Sequence, residues 1–158
     1  MIVVGLDPGY EHSALVTWDS TAHQIVGHVD MSNDDILAEF REGRLIGGSI
    51  LVIEQIESMG MSVGKTTFET VYWSGRFAEA FQPWRVERVT RREVKLHLCG
   101  QSRANDGNIR QALIDRFGPS TEQAIGKKAS PGPLYGVTGH KLSALAVALT
   151  WADQKGQS

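Results

Sequence analysis

The sequence lacks the features that typify secreted and membrane proteins. A single cysteine, Cys99, excludes an intrachain disulfide and a cysteine-rich zinc site. No apolar run approaches the roughly 18 residues that a membrane span needs. Residues 1–6 also lack the basic start of a signal peptide. We therefore expect a cytoplasmic protein without a membrane partner.

Positive charge is scarce in the first part of the chain, although the whole is nearly neutral. The 158 residues contain 16 Lys and Arg against 18 Asp and Glu, a net charge of −2. Up to Gly60 there are 10 acids and only two basic residues, Arg41 and Arg44. From Met61 onward, 14 basic residues face 8 acids. Such asymmetry indicates an anionic partner or a metal site.

The length and the order of the predicted elements indicate one α/β domain over residues 1–158. A hydrophobic share of 41% with 22% charged residues excludes a disordered chain. Three apolar runs with short connections predict an antiparallel meander, and later strands alternate with helices. The predicted strands are 2–7, 14–18, 24–29, 50–53 and 84–89, and helices are expected to start near 33, 67, 91, 105 and 140. This order predicts a mixed five-stranded sheet flanked by helices.

Two carboxylates stand at the ends of the two most apolar strands. Asp7 precedes Pro8-Gly9, and Glu54 follows the run 50–53. Ligands of open α/β sheets gather at the carboxyl ends of strands. Oxygen ligands suit Mg²⁺ or Mn²⁺, and the lack of cysteine clusters disfavours zinc. The alternatives are a turn-capping role for Asp7 and a solvated strand end for Glu54.

Four segments along the chain carry a family resemblance. They are Gly5-Leu6-Asp7-Pro8-Gly9, Val52-Ile53-Glu54-Gln55, the stretch 92–110 that opens Arg92-Glu93-Val94-Lys95, and His140-Lys141-Leu142-Ser143-Ala144-Leu145-Ala146. In this order they resemble the RuvC-like Holliday junction resolvases, which are RNase H-like nucleases, and the small phage members most of all. The resemblance spans nearly the whole chain.

The resemblance implies an RNase H-like fold and a metal-dependent endonuclease that resolves four-way DNA junctions as a homodimer, in recombination and repair. It implies two Mg²⁺ or Mn²⁺ ions per site, roughly 3.5–4 Å apart, which activate water and relieve charge on the leaving oxygen. Asp7 would bridge the ions and Glu54 would hold one. His140 and Ser143 on the last helix would supply the remaining ligands. For a phage protein, the host cytoplasm would be the location.

Ser143 departs from the family pattern, which commonly has an aspartate at this position. Residues 140 and 143 share a helix face, so both are expected in the site. A neutral hydroxyl is a poorer Mg²⁺ ligand than a carboxylate. Either Glu57, Asp106 or a metal-bound water compensates, or the serine is an inactivating substitution, or this member is catalytically weak. The structural alternatives are a helix-start role for His140 and a dipole-stabilising role for Asp106.

Basic residues concentrate between residues 85 and 128, where 10 Lys and Arg face 5 acids. Such clusters bind phosphates without reading the base sequence and with a strong salt dependence. A solvated helix face is the alternative. The predicted DNA-binding residues are Lys65, Arg76, Arg91, Arg92, Lys95, Arg103, Lys127 and Lys128.

The segment Gly60-Met61-Ser62-Val63-Gly64-Lys65-Thr66 looks like a phosphate loop. It has three residues between its glycines, whereas the Walker pattern needs four. We therefore expect no nucleotide cofactor, and interpret the segment as a hinged loop with Lys65 available for a phosphate.

The following helix is rich in aromatic residues beyond one stripe. It is either a core helix or the contact face of a two-fold dimer, which would match the approximate two-fold symmetry of a four-way junction. Phe68 could stack on an unpaired base at the crossover.

Two other functions fit the same residues. One is an RNase H-like nuclease that acts on other branched, flapped or RNA-containing substrates. The second is a junction-binding protein that has lost cleavage. The serine at position 143 is the reason to consider it.

Overall fold

The computed structural model describes residues 1–44 and 48–155, and a mixed five-stranded sheet forms its centre. The strands are β1 (Ile2–Asp7), β2 (His12–Asp19), β3 (Gln24–Ser32), β4 (Ile50–Gln55) and β5 (Val86–Thr90). Their order across the sheet is β3-β2-β1-β4-β5. β1, β2 and β3 are antiparallel neighbours, whereas β4 and β5 run parallel to β1. The predicted mixed sheet is confirmed.

Helices cover the sheet, and three short elements after the fourth helix were not predicted. The helices are α1 (Asn33–Arg41), α2 (Lys65–Ala80), α3 (Arg91–Cys99), α4 (Asp106–Phe117), α5 (Thr121–Ala124) and α6 (His140–Lys155). A small hairpin of β6 (Gly126–Lys127) and β7 (Ser130–Pro131) follows α5, where the sequence had predicted only a loop. Two-residue strands are too short to produce an alternating pattern.

Several predicted boundaries were wrong: β2 begins two residues earlier than predicted, and β3 and β4 end three and two residues later. α2 begins at Lys65, not near residue 67, because Gly64 is extended and serves as its N-cap. Lys65 therefore lies on the helix and not in the loop. β5 begins at Val86, two residues after the predicted start at Trp84.

The sheet separates two hydrophobic clusters. Val3 on β1 packs in the cluster that contains α6, whereas Val4 and Leu6 pack with Phe40 and Phe77 beneath α1 and α2. A strand with both faces buried reads as a continuous apolar run, which is what residues 2–6 show. Each buried Leu or Phe side chain stabilises the fold by about 1.5–3 kcal/mol. Both faces therefore hold β1 and β4 in place.

Gly5 lets α6 pack directly against β1. A Cβ atom at Gly5 would lie 2.0 Å from the carbonyl oxygen of Ala144 and 2.9 Å from the Cβ of Ala148. No side chain fits in that space, so the small residues on both sides set the position of α6. The first turn of α6, which contains His140, is thereby fixed relative to β1.

An ion-pair cluster joins α3, α4 and α6 away from the sheet edge. Arg116 donates hydrogen bonds of 2.5 and 2.9 Å to the two carboxylate oxygens of Asp153. The Nε2 of His97 lies 2.7 Å from the same carboxylate. None of the helices within residues 1–44 and 48–155 has the length and apolar character to cross a membrane.

Candidate active site

Asp7 and Glu54 meet at the carboxyl edge of the sheet. β1 and β4 pair in parallel with Leu6 beside Ile53, so the next residue on each strand is one of the two acids. Their side chains are only 14% and 7% exposed. Glu54 lies inside β4 and is buried, so it is not a solvated strand end.

Burial and mutual repulsion make the carboxylate pair electrostatically unfavourable. Burial raises the pKa of Asp7, against the opposing effects of His140 and Arg91. Burial also raises the pKa of Glu54, and the negative charge of Asp7 raises it further. Arg91 opposes this rise. A cation bound beside the pair would offset both costs.

His140 contacts Asp7 directly. Its Nδ1 lies 2.8 Å from Oδ2 of Asp7, and the imidazole is otherwise 79% exposed. With the carboxylate ionised, Nδ1–H donates this hydrogen bond and leaves Nε2 as the second ring nitrogen. A role confined to starting the helix does not account for this contact.

Ser143 lies one turn further along α6. It is half-buried and lines the same cavity as His140 and Arg91. The structure thus brings Asp7, Glu54 and His140 together, with Ser143 next to them. It supplies no carboxylate at position 143.

Arg91 is held over the carboxylate pair by the start of α3. Thr90 and Glu93 form a capping box that fixes this helix end. Nη1 of Arg91 lies 3.5 Å from Oε1 of Glu54, and the guanidinium also forms an ion pair with Asp106. Arg91, predicted only as a phosphate ligand, therefore also neutralises the site. The sequence did hold one sign of this second role. Arg91 directly follows β5, and the carboxyl end of β5 lies beside that of β4.

A buried polar network behind Asp7 was missed from the sequence. The hydroxyl of Ser13 donates to Oδ1 of Asn33 at 2.6 Å and accepts from the amide of Gly9 at 3.0 Å. Nδ2 of Asn33 donates to the carbonyl of Gly9 at 3.0 Å. These bonds tie the turn after Asp7 to β2 and α1, so the carboxylate sits on a rigid support.

A basic groove opens at Glu54. It has a volume of about 410 Å³ and is bounded by residues 54–57, Met59 and the basic side of α3. Four predicted DNA-binding residues line it: Arg91, Arg92, Lys95 and Arg103. Glu57, a candidate compensating acid, lines the same groove. Asp106, the other candidate, is 85% exposed and paired with Arg91.

The other predicted DNA-binding residues lie outside this groove. Lys65 is exposed at the start of α2, and Lys127 and Lys128 are exposed on the β6–β7 hairpin. The guanidinium of Arg76 stacks on Trp73, with its carbon 4.3 Å from the ring centroid.

α2 has two distinct faces. Phe77 and Phe81, the latter its C-cap, are fully buried. Phe68, Val71 and Tyr72 are 64%, 49% and 61% exposed. The buried residues fit the interpretation of α2 as a core helix, and the exposed residues fit its interpretation as a dimer contact.

The donors at the sheet edge suit a divalent cation in their chemistry. Two largely shielded carboxylates and one imidazole are available, and carboxylate oxygens are preferred by Mg²⁺ and Mn²⁺. Within residues 1–44 and 48–155, no three His, Cys, Asp or Glu side chains already form a metal-binding group. Arg91 and His140 are the groups that offset the negative charge here.

Comparison with known proteins identifies the fold. No protein-family model and no curated protein matches the chain. Among solved structures it is similar to Thermus thermophilus RuvC, with a TM-score of 0.69 and 19% identity over 99% of this chain and 97% of that one. It is also similar to T. thermophilus RuvC in complex with a Holliday junction substrate, with a TM-score of 0.62 and 20% identity over 96% and 93% of the two chains. The predicted RNase H-like fold of RuvC is confirmed, whereas closeness to phage members stays a prediction.

Proposed function

We propose that this chain is a structure-selective endonuclease that hydrolyses phosphodiesters in four-way DNA junctions with the help of divalent metal ions. One observation carries the proposal: Asp7 and Glu54, whose side chains are 14% and 7% exposed, form a carboxylate pair beside a basic groove that Glu54 lines. The similarity to RuvC, whose complex with a Holliday junction substrate is known, supports branched DNA as the substrate. The protein would act on DNA in the cytoplasm.

Asp7, Glu54 and His140 are the residues that would hold Mg²⁺ or Mn²⁺. Divalent ions, when bound, stabilise the attacking and the leaving oxygen of a phosphoryl displacement. Asp7 and Glu54 are fixed by neighbouring strands. The packing of these strands therefore holds the two carboxylates together against their mutual repulsion before a metal ion binds. Ser143 could contribute only a neutral hydroxyl.

The groove residues would hold the DNA backbone beside the carboxylates. Arg92, Lys95 and Arg103 line the groove together with Glu54, and guanidinium and ammonium groups bind phosphate oxygens irrespective of sequence. Binding should therefore weaken steeply with salt. Selectivity for a junction would come mainly from its shape and its phosphates, with at most a modest base preference near the cut.

The exposed face of α2, formed by Phe68, Val71 and Tyr72, would be the contact between two copies. A two-fold dimer uses the same patch on both subunits, so one self-complementary apolar face is sufficient. Two identical sites would then cut two strands of a junction.

A second candidate function is junction binding with impaired cleavage. Ser143 favours it, because the aspartate expected at this position beside His140 is missing. The basic groove would serve binding equally well with or without cleavage.

One assay separates these functions. A labelled four-way junction, a linear duplex and an RNA–DNA hybrid are each incubated with Mg²⁺, Mn²⁺ or EDTA. We expect symmetric paired nicks in the junction alone, and only with metal. Cleavage of the hybrid instead would contradict the proposal, and tight binding without cleavage in any metal would favour the second candidate.

A further inference from the structure

A second cavity of about 410 Å³ opens beside the carboxylate pair, separate from the basic groove. Six apolar side chains line it, whereas Ile56 and Met59 are the apolar side chains among the residues that line the groove. The apolar side chains of the cavity are Ile109, Ile114, Ile125, Leu134, Val137 and Leu142. The polar residues of its lining are Arg91, Asp106, Arg110, Thr138, His140 and Ser143.

One wall of this cavity belongs to the segment between α4 and α6, which is internally bonded. Gly132 and Leu134 donate backbone hydrogen bonds of 2.9 and 2.8 Å to the carbonyls of Ile125 and Ala124. The approach is so close that a Cβ at Gly132 would lie 2.4 Å from the Ala124 carbonyl oxygen. The wall is therefore built before any ligand binds, as in most small-ligand sites.

We infer that this cavity receives an unstacked nucleobase of the branched DNA, from a nucleotide next to the cleaved phosphodiester. The inference rests on the proposed function, because the occupant must be attached to the phosphate at Asp7. His140 makes the connection: it contacts Asp7 at 2.8 Å and also lines the cavity. A nucleotide whose phosphate lies at Asp7 can therefore place its base in the cavity.

The chemistry of the lining matches a base. A nucleobase presents an apolar ring face with a polar edge, and the cavity has an apolar wall with the Thr138 hydroxyl and the Arg110 guanidinium among its lining groups. Arg110 forms no ion pair with any residue that the structure describes, so its donors are available. Ser143 also lines the cavity and adds no charge to it.

The cavity also gives a physical reason for preferring a branch point. A base in a continuous duplex must be unpaired and unstacked before it can enter a pocket, which costs a few kcal/mol. Bases at a branch point have already lost part of their stacking. The cavity would therefore bind branched DNA more tightly than duplex DNA without recognising a long base sequence.

An abasic substitution combined with a pocket-filling variant tests the inference. Junctions lacking one base at a time around the cleavage site are titrated with the wild type and with Thr138→Trp, without divalent metal. Thr138 is exposed, so tryptophan can reach over the cavity without entering the core. We expect one abasic position to weaken wild-type binding about tenfold, because the contacts of one base with the cavity are lost. Thr138→Trp should weaken binding of the intact junction similarly and be insensitive to that abasic position.

Two further variants keep the result interpretable. Gln123→Trp places the same ring on exposed α5 outside the cavity and should bind both junctions like the wild type. Ile125→Trp fills the cavity from a second position in the same segment and should reproduce Thr138→Trp. The inference is overturned if no abasic position matters, or if the abasic loss is equal in the wild type and both filled variants. If the wild type does not prefer a junction over a duplex, the proposed function itself fails, and the inference with it.

Discussion

The site has two walls that differ in how the fold holds them. The sheet wall consists of Asp7 and Glu54, whose side chains are 14% and 7% exposed on strands packed on both faces. The helix wall consists of Arg91, Asp106, His140 and Ser143, from the first turns of three helices. In this wall the Asp106 and His140 side chains are 85% and 79% exposed. The fold thus dictates the sheet wall, whereas the helix wall can change its chemistry without disturbing the core.

The largest effect should come from the sheet wall. Asp7→Asn or Glu54→Gln removes one of the two buried negative charges while leaving the shape unchanged. We expect junction cleavage to fall by about 10³-fold or more, because metal-assisted displacement depends on these charges. Junction binding, measured by fluorescence anisotropy, should stay within about threefold because the groove residues carry it. Full cleavage after either change would defeat the metal-site account.

The contact between the two walls can be broken at Gly5. Gly5→Ala forces its Cβ against the Ala144 carbonyl, and overpacking of this kind costs about 1–3 kcal/mol. We expect a lower free energy of unfolding in urea and weaker cleavage, because α6 and His140 must move. Gly27→Ala is the matched control, since its Cβ would lie 4.0 Å from the Thr17 hydroxyl oxygen. Equal effects of the two changes would show that the α6 contact does not position the site.

The helix wall can be tested by restoring a carboxylate. Ser143→Asp should raise Mg²⁺-dependent cleavage by about tenfold or more, because a carboxylate is the better ligand for this ion. Ser143→Ala serves as the control and should leave cleavage near the wild-type level. No gain from Ser143→Asp would mean that the serine alone does not limit the reaction.

A smaller effect is expected from the ion pair between Arg91 and Asp106. Asp106→Asn frees the guanidinium, and an exposed pair of this kind is worth roughly 0–1 kcal/mol. Junction affinity at low salt should rise up to about fivefold, and the salt dependence should become steeper. Asp115→Asn, on the same helix and bonded to Gln111, is the control that should change neither. An unchanged affinity in Asp106→Asn would mean that Arg91 does not reach the DNA.

The sheet wall could be predicted from the sequence, because a buried strand is a continuous apolar run and its end is visible. Asp7 and Glu54 each follow such a run, and parallel pairing brings them together. The helix wall was predicted only in part. Arg91 was placed on the right helix. Its contacts with Glu54 and Asp106 could not be predicted, because these residues are distant in sequence and no local sequence pattern indicates that they are close in space.

The segment between α4 and α6 was the least predictable region. α5 has four residues and the strands of the hairpin have two each, so neither forms a periodic pattern. Its shape comes from backbone hydrogen bonds and from the close approach at Gly132. The cavity that it forms beside His140 was therefore invisible in the sequence.

The most direct test of the account is to locate bound Mn²⁺ by anomalous diffraction from crystals soaked in MnCl₂. We predict an anomalous peak in contact with the carboxylates of Asp7 and Glu54 in the wild type, and its loss in Asp7→Asn. A peak held by other residues, or none at a Mn²⁺ concentration that supports cleavage, would contradict the assignment of this sheet edge as the catalytic centre.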